Sequence, residues 1–93
     1  MKNAKSRKSR NVEFQLVAET GSTVLLAGTF NNWDPQANPM TDNSDSGRHT
    51  ATLRLPPGRH EYKFVVNGEW RVDPNCPDWV LNDQGSLNSV ITV

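Results

Sequence analysis

The chain is poor in the features that would make it a membrane protein, a disulfide scaffold or a metalloenzyme. It has one cysteine in 93 residues, Cys76, so no internal disulfide can staple the fold. That fits a reducing compartment, and the cytoplasm is the expected location. No apolar run approaches the roughly 20 residues of a membrane helix. The basic N-terminus has no apolar stretch behind it, unlike a secretory signal, and Lys2 stands where myristoylation needs glycine. His49 and His60 have no cysteine or carboxylate at zinc-ligand spacing, so no metal site is expected. Cys76, between Asn75 and Pro77, has no evident histidine partner and reads as a free loop thiol. The glycines fall at turns and strand ends without a phosphate-cradling pattern. No catalytic residue and no cofactor is expected.

The net charge is zero, but it is unevenly placed. Lys2, Lys5, Arg7, Lys8 and Arg10 hold five of the ten basic residues, while every acidic residue lies from Glu13 onward. Residues 1–10 therefore read as a disordered basic tail, and residues 11–93 as one acidic domain. A net-negative domain argues against nucleic acid as a partner.

What is present is a period of two. Val12, Phe14 and Leu16 alternate with Glu13 and Gln15, as in a half-buried strand. Thr23 to Phe30 reads as a second, more apolar strand. Asn31 to Gly47 is a polar loop with room for one short strand near Met40. His49 to Leu55 alternates again. Pro56-Pro57-Gly58 is a tight turn, and Arg59 to Val66 and Trp70 to Val72 form a hairpin across Asn67-Gly68. Asp73 to Gly85 reads as a long loop, and Ser86 to Val93 as the last strand. About seven short strands with no helical periodicity predict an all-β fold, an antiparallel β-sandwich.

The Asn67-Gly68 turn fixes a register. Val66 should face Glu69, Val65 should face Trp70, and Phe64 should face Arg71. Paired residues share a side of the sheet. Tyr62, Phe64 and Val66 are the better core row, which leaves Lys63, Val65 and Trp70 on the open face. The alternative is that Trp70 is an ordinary core tryptophan.

Five blocks now stand in order: Gly28-Thr29-Phe30-Asn31-Asn32-Trp33, Leu55-Pro56-Pro57-Gly58, Tyr62 to Trp70, Asp73-Pro74, and Gly85-Ser86-Leu87-Asn88-Ser89-Val90. In this order and spacing the chain resembles the family 48 carbohydrate-binding modules, in particular the glycogen-binding domain of the AMP-activated protein kinase β subunit, over about residues 12–93. The resemblance implies an immunoglobulin-like β-sandwich that binds α-1,4-linked glucan without catalysis. It implies that Trp33 and Trp70 are exposed sugar-stacking residues, that Lys63 and Asn88 bond sugar hydroxyls, and that Ser86 is the site's hydroxyl residue. Where such domains carry a leucine against the sugar ring, this chain has Asp83-Gln84, so Gln84 occupies that part of the site. The preceding loop adds Trp79, which is expected to plug the local core rather than contact the ligand.

These residue types suit a glucan. A pyranose presents C–H groups on its faces and hydroxyls at its rim, so a flat indole covers a face and leaves the rim free. Each such contact buries about 50–80 Å², worth on the order of 1–2 kcal/mol. The acidic loop residues, Asp34, Asp42, Asp45, Asp73, Asp78 and Asp83, read as solvated, because a glycosidase needs two carboxylates facing across a cleft and a flat sugar platform offers none. The expected partners are an α-glucan and, as the protein recruited to it, a glycogen-metabolising enzyme or a kinase, with no nucleic acid and no membrane. A second reading keeps the fold and loses sugar binding, leaving a protein-docking or regulatory module.

Overall fold

The computed structural model describes residues 8–43 and 47–93; most of the basic tail and Asp45 lie outside them. Eight strands run in chain order: β1 Arg10–Val17, β2 Val24–Gly28, β3 Thr41–Asn43, β4 Arg48–Leu55, β5 Arg59–Val66, β6 Glu69–Arg71, β7 Trp79–Leu81 and β8 Leu87–Thr92. A 3-10 turn, Thr29–Asn31, follows β2. The strands form two antiparallel sheets. One has the order β1-β4-β3; the other has the order β2-β5-β8-β7, with β6 also paired to β5. Arg10, placed in the tail by composition, is the first residue of β1 and pairs with Leu55.

Alternation builds the core. Phe14 and Leu16 of β1 and Leu55 of β4 point from the smaller sheet toward Val24, Leu26, Tyr62, Phe64 and Val66 of the larger one, and Met40 joins them. Phe64 and Leu26 are wholly buried. The Phe14 ring meets Tyr62 edge-on at 4.9 Å, and Tyr62 meets Phe64 edge-on at 5.8 Å, the arrangement that aromatic quadrupoles favour. The predicted core row of β5 is thus the one buried. His49 is also buried: its Nδ1 lies 2.9 Å from the Gly47 carbonyl and its Nε2 lies 3.2 Å from that of Ser22.

The hairpin has the register read from its turn, with Val66, Val65 and Phe64 opposite Glu69, Trp70 and Arg71. Asn67 and Gly68 both take positive φ, 51° and 86°, as a two-residue turn matched to strand twist requires. The Asn67 side chain also accepts the Thr23 amide at 2.9 Å, which holds the turn beside β2.

The Asn31–Gly47 segment carries the one short strand its sequence left room for, β3, just after Met40. The other loop contains more structure than its sequence suggested. The supposed loop from Asp73 to Gly85 carries β7, which pairs with β8. Trp79-Val80-Leu81 is a continuous apolar triplet, too short to display a period of two.

Tyr62 joins the core to the exit of the hairpin. Its hydroxyl donates to Asp73 Oδ2 at 2.7 Å, and the Asp73 amide donates to Ser89 Oγ at 2.8 Å. Burial first, then the hydrogen bond to Asp73 and the neighbouring Cys76, push the phenol far above its ordinary value. A raised folded value favours the neutral phenol, so its contribution is complete below the unfolded value of about 10 and is lost as the pH climbs past it. Tyr62 is the single tyrosine. In an alkaline titration its phenolate absorbance should therefore appear only together with loss of the β-sheet circular dichroism signal. A phenolate forming near pH 10 in folded protein would contradict this account.

Gly28 is required by close approach. A Cβ there would lie 2.5 Å from the Glu61 carbonyl oxygen and 2.7 Å from the Phe30 ring. Gly28→Ala should destabilise the domain by about 1–3 kcal/mol, the usual range for overpacking, as measured by urea denaturation.

Candidate functional site

Strand β5 places the site. Half-buried Glu61 and Lys63, with buried Val65, lie on the face opposite Tyr62, Phe64 and Val66. Along one edge β5 changes partners. Residues 59–62 pair with β8 and residues 64–66 pair with β6. Lys63 lies at the change, where neither ladder continues, and an open cleft of about 570 Å³ forms there.

Trp33 and Trp70 both line this cleft. Trp70, opposite Val65 on β6, is 46 % exposed, so it is not a core tryptophan. Trp33, expected to be exposed, is half-buried. Its backbone folds back: Asn32 and Trp33 both adopt left-handed φ, 58° and 59°, and the Trp33 amide donates to the Gly28 carbonyl at 2.9 Å. Two successive non-glycine residues in this region are strained. The Asn31 side chain holds them there, accepting from the Gly28 amide at 3.0 Å and donating to the Leu26 carbonyl at 3.0 Å and to Asn38 Oδ1 at 2.7 Å.

The same cleft holds a connected set of polar groups. Lys63 Nζ donates to Ser86 Oγ at 2.8 Å. Asn82 Nδ2 donates to the same oxygen at 2.9 Å and to Asn88 Oδ1 at 3.1 Å. Asn88 Nδ2 donates to Glu61 Oε1 at 3.0 Å. Glu61 and Lys63 are two apart on β5, so the bonds run from one end of this strand segment, through the β7–β8 turn, to the other. Asn88, 5 % exposed, is the buried anchor of the set. Each group keeps spare capacity: the ammonium has two more protons, the Ser86 hydroxyl its own, and the carboxylate its remaining lone pairs.

Trp33, Lys63, Trp70 and Asn88 line one cleft, and Ser86 joins them through its bond to Lys63. Gln84 and Asp83 also line the cleft, on the turn between β7 and β8. Two residues went unremarked in the sequence. Glu61 is one; it accepts from Asn88 Nδ2 at 3.0 Å. Asn82 organises the turn: its Oδ1 accepts from the amides of Gln84 at 2.9 Å and Ser86 at 3.0 Å. The signal was present, because an asparagine opening Asn-Asp-Gln-Gly is a side-chain-capped turn. The platform is also less flat than expected, for Glu61 and Asp83 both border a true cleft.

Trp79 is the clear correction. It does not plug a core: it is 63 % exposed, and its neighbour Leu81 is 64 % exposed. It pairs with Ser89, which pairs with Tyr62, so it lies on the core-side face of the larger sheet, opposite the cleft. Strand β7 is the last strand of that sheet, and the smaller sheet leaves its inner face uncovered.

Among the described residues no group of three or more metal-binding side chains occurs, and no helix is long and apolar enough to cross a membrane.

Comparison with known proteins agrees with the resemblance drawn from the sequence. The chain is 42 % identical over 72 residues to Protein FLOURY ENDOSPERM 6, chloroplastic, of Oryza sativa subsp. japonica, a match that covers 77 % of this chain and 13 % of that protein. It is 41 % identical over 73 residues to the 5'-AMP-activated protein kinase subunit beta-1 of Sus scrofa, covering 78 % of this chain and 56 % of that one. With the beta-2 subunit of Homo sapiens it shares 38 % identity over 76 residues, 82 % of this chain and 26 % of the relative. The chain therefore spans only part of the length of each of these relatives. A family model described as the glycogen recognition site of AMP-activated protein kinase matches residues 11–93, and to that family this chain belongs.

Proposed function

We propose that the domain binds α-1,4-linked glucan of the glycogen or starch type, without transforming it. The observation that carries this reading is the pairing of Trp33 and Trp70 around one cleft, with a pre-bonded polar set in it. The indoles cover pyranose faces, and their separation across a concave surface suits a chain that coils. Lys63 donates to sugar hydroxyls, and Ser86 and Asn88 donate or accept. Gln84 contacts the sugar from the β7–β8 turn, in place of a hydrophobic residue. Glu61 and Asn82 act through others, fixing Asn88 and the turn.

Preorganisation matters here because the gross interaction is small. Two stacks and a few partly exposed hydrogen bonds, less the cost of association, give a Kd of about 10 µM to 1 mM. A site of that strength suits a polymer with many repeats. The relatives are longer proteins, which supports a role in holding a larger assembly, a glycogen-metabolising enzyme or a kinase, on the glucan. Catalysis has little support. Glu61 is committed to Asn88, and Asp83 sits on an exposed turn. The half-buried thiol of Cys76 fits a reducing compartment such as the cytoplasm, although one relative is named as chloroplastic.

In a ¹H–¹⁵N titration with maltoheptaose, the indole signals of Trp33 and Trp70 should shift together and saturate, followed by the Asn88 amide. Trp70→Ala should weaken binding by about 1–3 kcal/mol, typical of an exposed anchor, with an unchanged melting temperature. Loss of folding instead would make Trp70 structural, and no indole shift at several millimolar sugar would leave protein docking as the role. Asn82→Ala touches no sugar in this reading. It should still weaken binding about 5- to 30-fold, by about 1–2 kcal/mol, because the Ser86 and Asn88 partners lose a donor. Calorimetry alongside amide exchange of residues 82–86 checks both halves of that expectation.

A further inference from the structure

The two edges of the larger sheet are treated differently. The β2 edge is covered: the Leu26 amide donates to the Asn38 carbonyl at 3.1 Å, and the Met40 amide donates to the Val24 carbonyl at 2.9 Å. The β7 edge has no further strand beside it among the described residues. It presents Trp79 and Leu81, two apart and therefore on one face, with half-buried Leu87 opposite Leu81. An indole exposed to this degree on a strand, with an aliphatic neighbour extending its surface, is a ready platform.

We infer that Trp79 is a second stacking subsite for α-glucan, on the face of the sheet opposite the cleft; the inference rests on the glucan reading of the main site. The connection is structural. Strand β7 runs directly into Asn82, Asp83 and Gln84, which border the cleft. Val80, between Trp79 and Leu81, pairs with Asn88 on the cleft side. A glucan that leaves the cleft past Gln84 therefore meets the β7 edge. By continuing its coil over that edge it reaches Trp79. From Lys63 to β7 is two strand spacings, about 10 Å, a distance that a few further glucose units cover.

A protein occupant fits less well. The exposed apolar surface of Trp79 and Leu81 is on the order of 300 Å², against about 800 Å² per partner in a stable interface. Three residues make a short edge for strand addition. Asp78 and Asp83 flank the edge, so pairing with a second copy would bring carboxylates together. A sugar instead accepts those neighbours, because its hydroxyls can donate to carboxylates.

The test compares ligand lengths on the intact chain. Maltotriose fills the cleft alone, and a long linear maltodextrin reaches both subsites. With maltotriose, only the Trp33 and Trp70 indole signals should move. With the long chain, the Trp79 signal should move as well. Trp79→Ala should leave maltotriose affinity unchanged and weaken the long chain about 5- to 20-fold, the loss of one stacking contact. Trp79→Tyr should recover most of it. Because Trp79 is exposed, these variants should melt as the parent does. Unchanged long-chain affinity in Trp79→Ala, with Trp70→Ala still impaired, overturns the second subsite and leaves the main site standing. Absence of binding by either glucan overturns both. Concentration-dependent self-association that Trp79→Ala abolishes also overturns the subsite and identifies the edge as a contact between copies.

Discussion

Strand β5 must serve two faces at once, and the rest of the domain is arranged around that constraint. Its residues alternate between the two faces, although Val65 on the outer face is itself buried. Tyr62, Phe64 and Val66 enter the core, while Glu61, Lys63 and Val65 face outward. The core row is anchored by aromatic contacts to Phe14 of the opposite sheet. Once those rings are packed, a one-residue slip would bury Lys63 and Glu61 and expose Phe64, so the register has little freedom. The same packing that stabilises the domain thereby fixes the direction of the groups that line the cleft.

The cleft exists because β5 cannot be paired continuously. Its edge is shared between β8 and β6, and the ladders part beside Lys63. The polar groups left at such a gap need partners. Asn82, Ser86, Asn88 and Glu61 provide them for one another, and Lys63 joins through Ser86. The resulting set is satisfied without a ligand yet keeps spare donors and acceptors. A site of this kind holds its geometry in advance, and little ordering cost is left for binding. The strain stored at Asn32 and Trp33 has the same sense, since the Asn31 bonds hold an indole in place that the backbone alone would not.

Much of this is legible in the sequence. The alternation of β1, β4 and β5 predicted strands and their buried rows. Asn67-Gly68 predicted the hairpin, and the hairpin register put Trp70 beside Lys63. The resemblance to the family 48 carbohydrate-binding modules added Trp33, Ser86, Asn88 and Gln84. The misses have particular causes. β7 is an apolar triplet without alternation. Trp79 is expected to plug the local core, whereas the smaller sheet does not extend over it. Glu61 and Asn82 have no special local signature of partnership: Asn88 and Glu61 meet across 27 residues.

The sequence by itself determined the alternating strands, the core row and the turn that aligns the two arms of the hairpin. Those depend on period and on turn chemistry, which act over a few residues. Only the tertiary structure decided how far Trp33 is exposed, which polar groups join Lys63, and which face of the sheet carries Trp79. Those follow from strand pairing between distant segments and from where one sheet stops covering the other. Neither property belongs to any short stretch of chain.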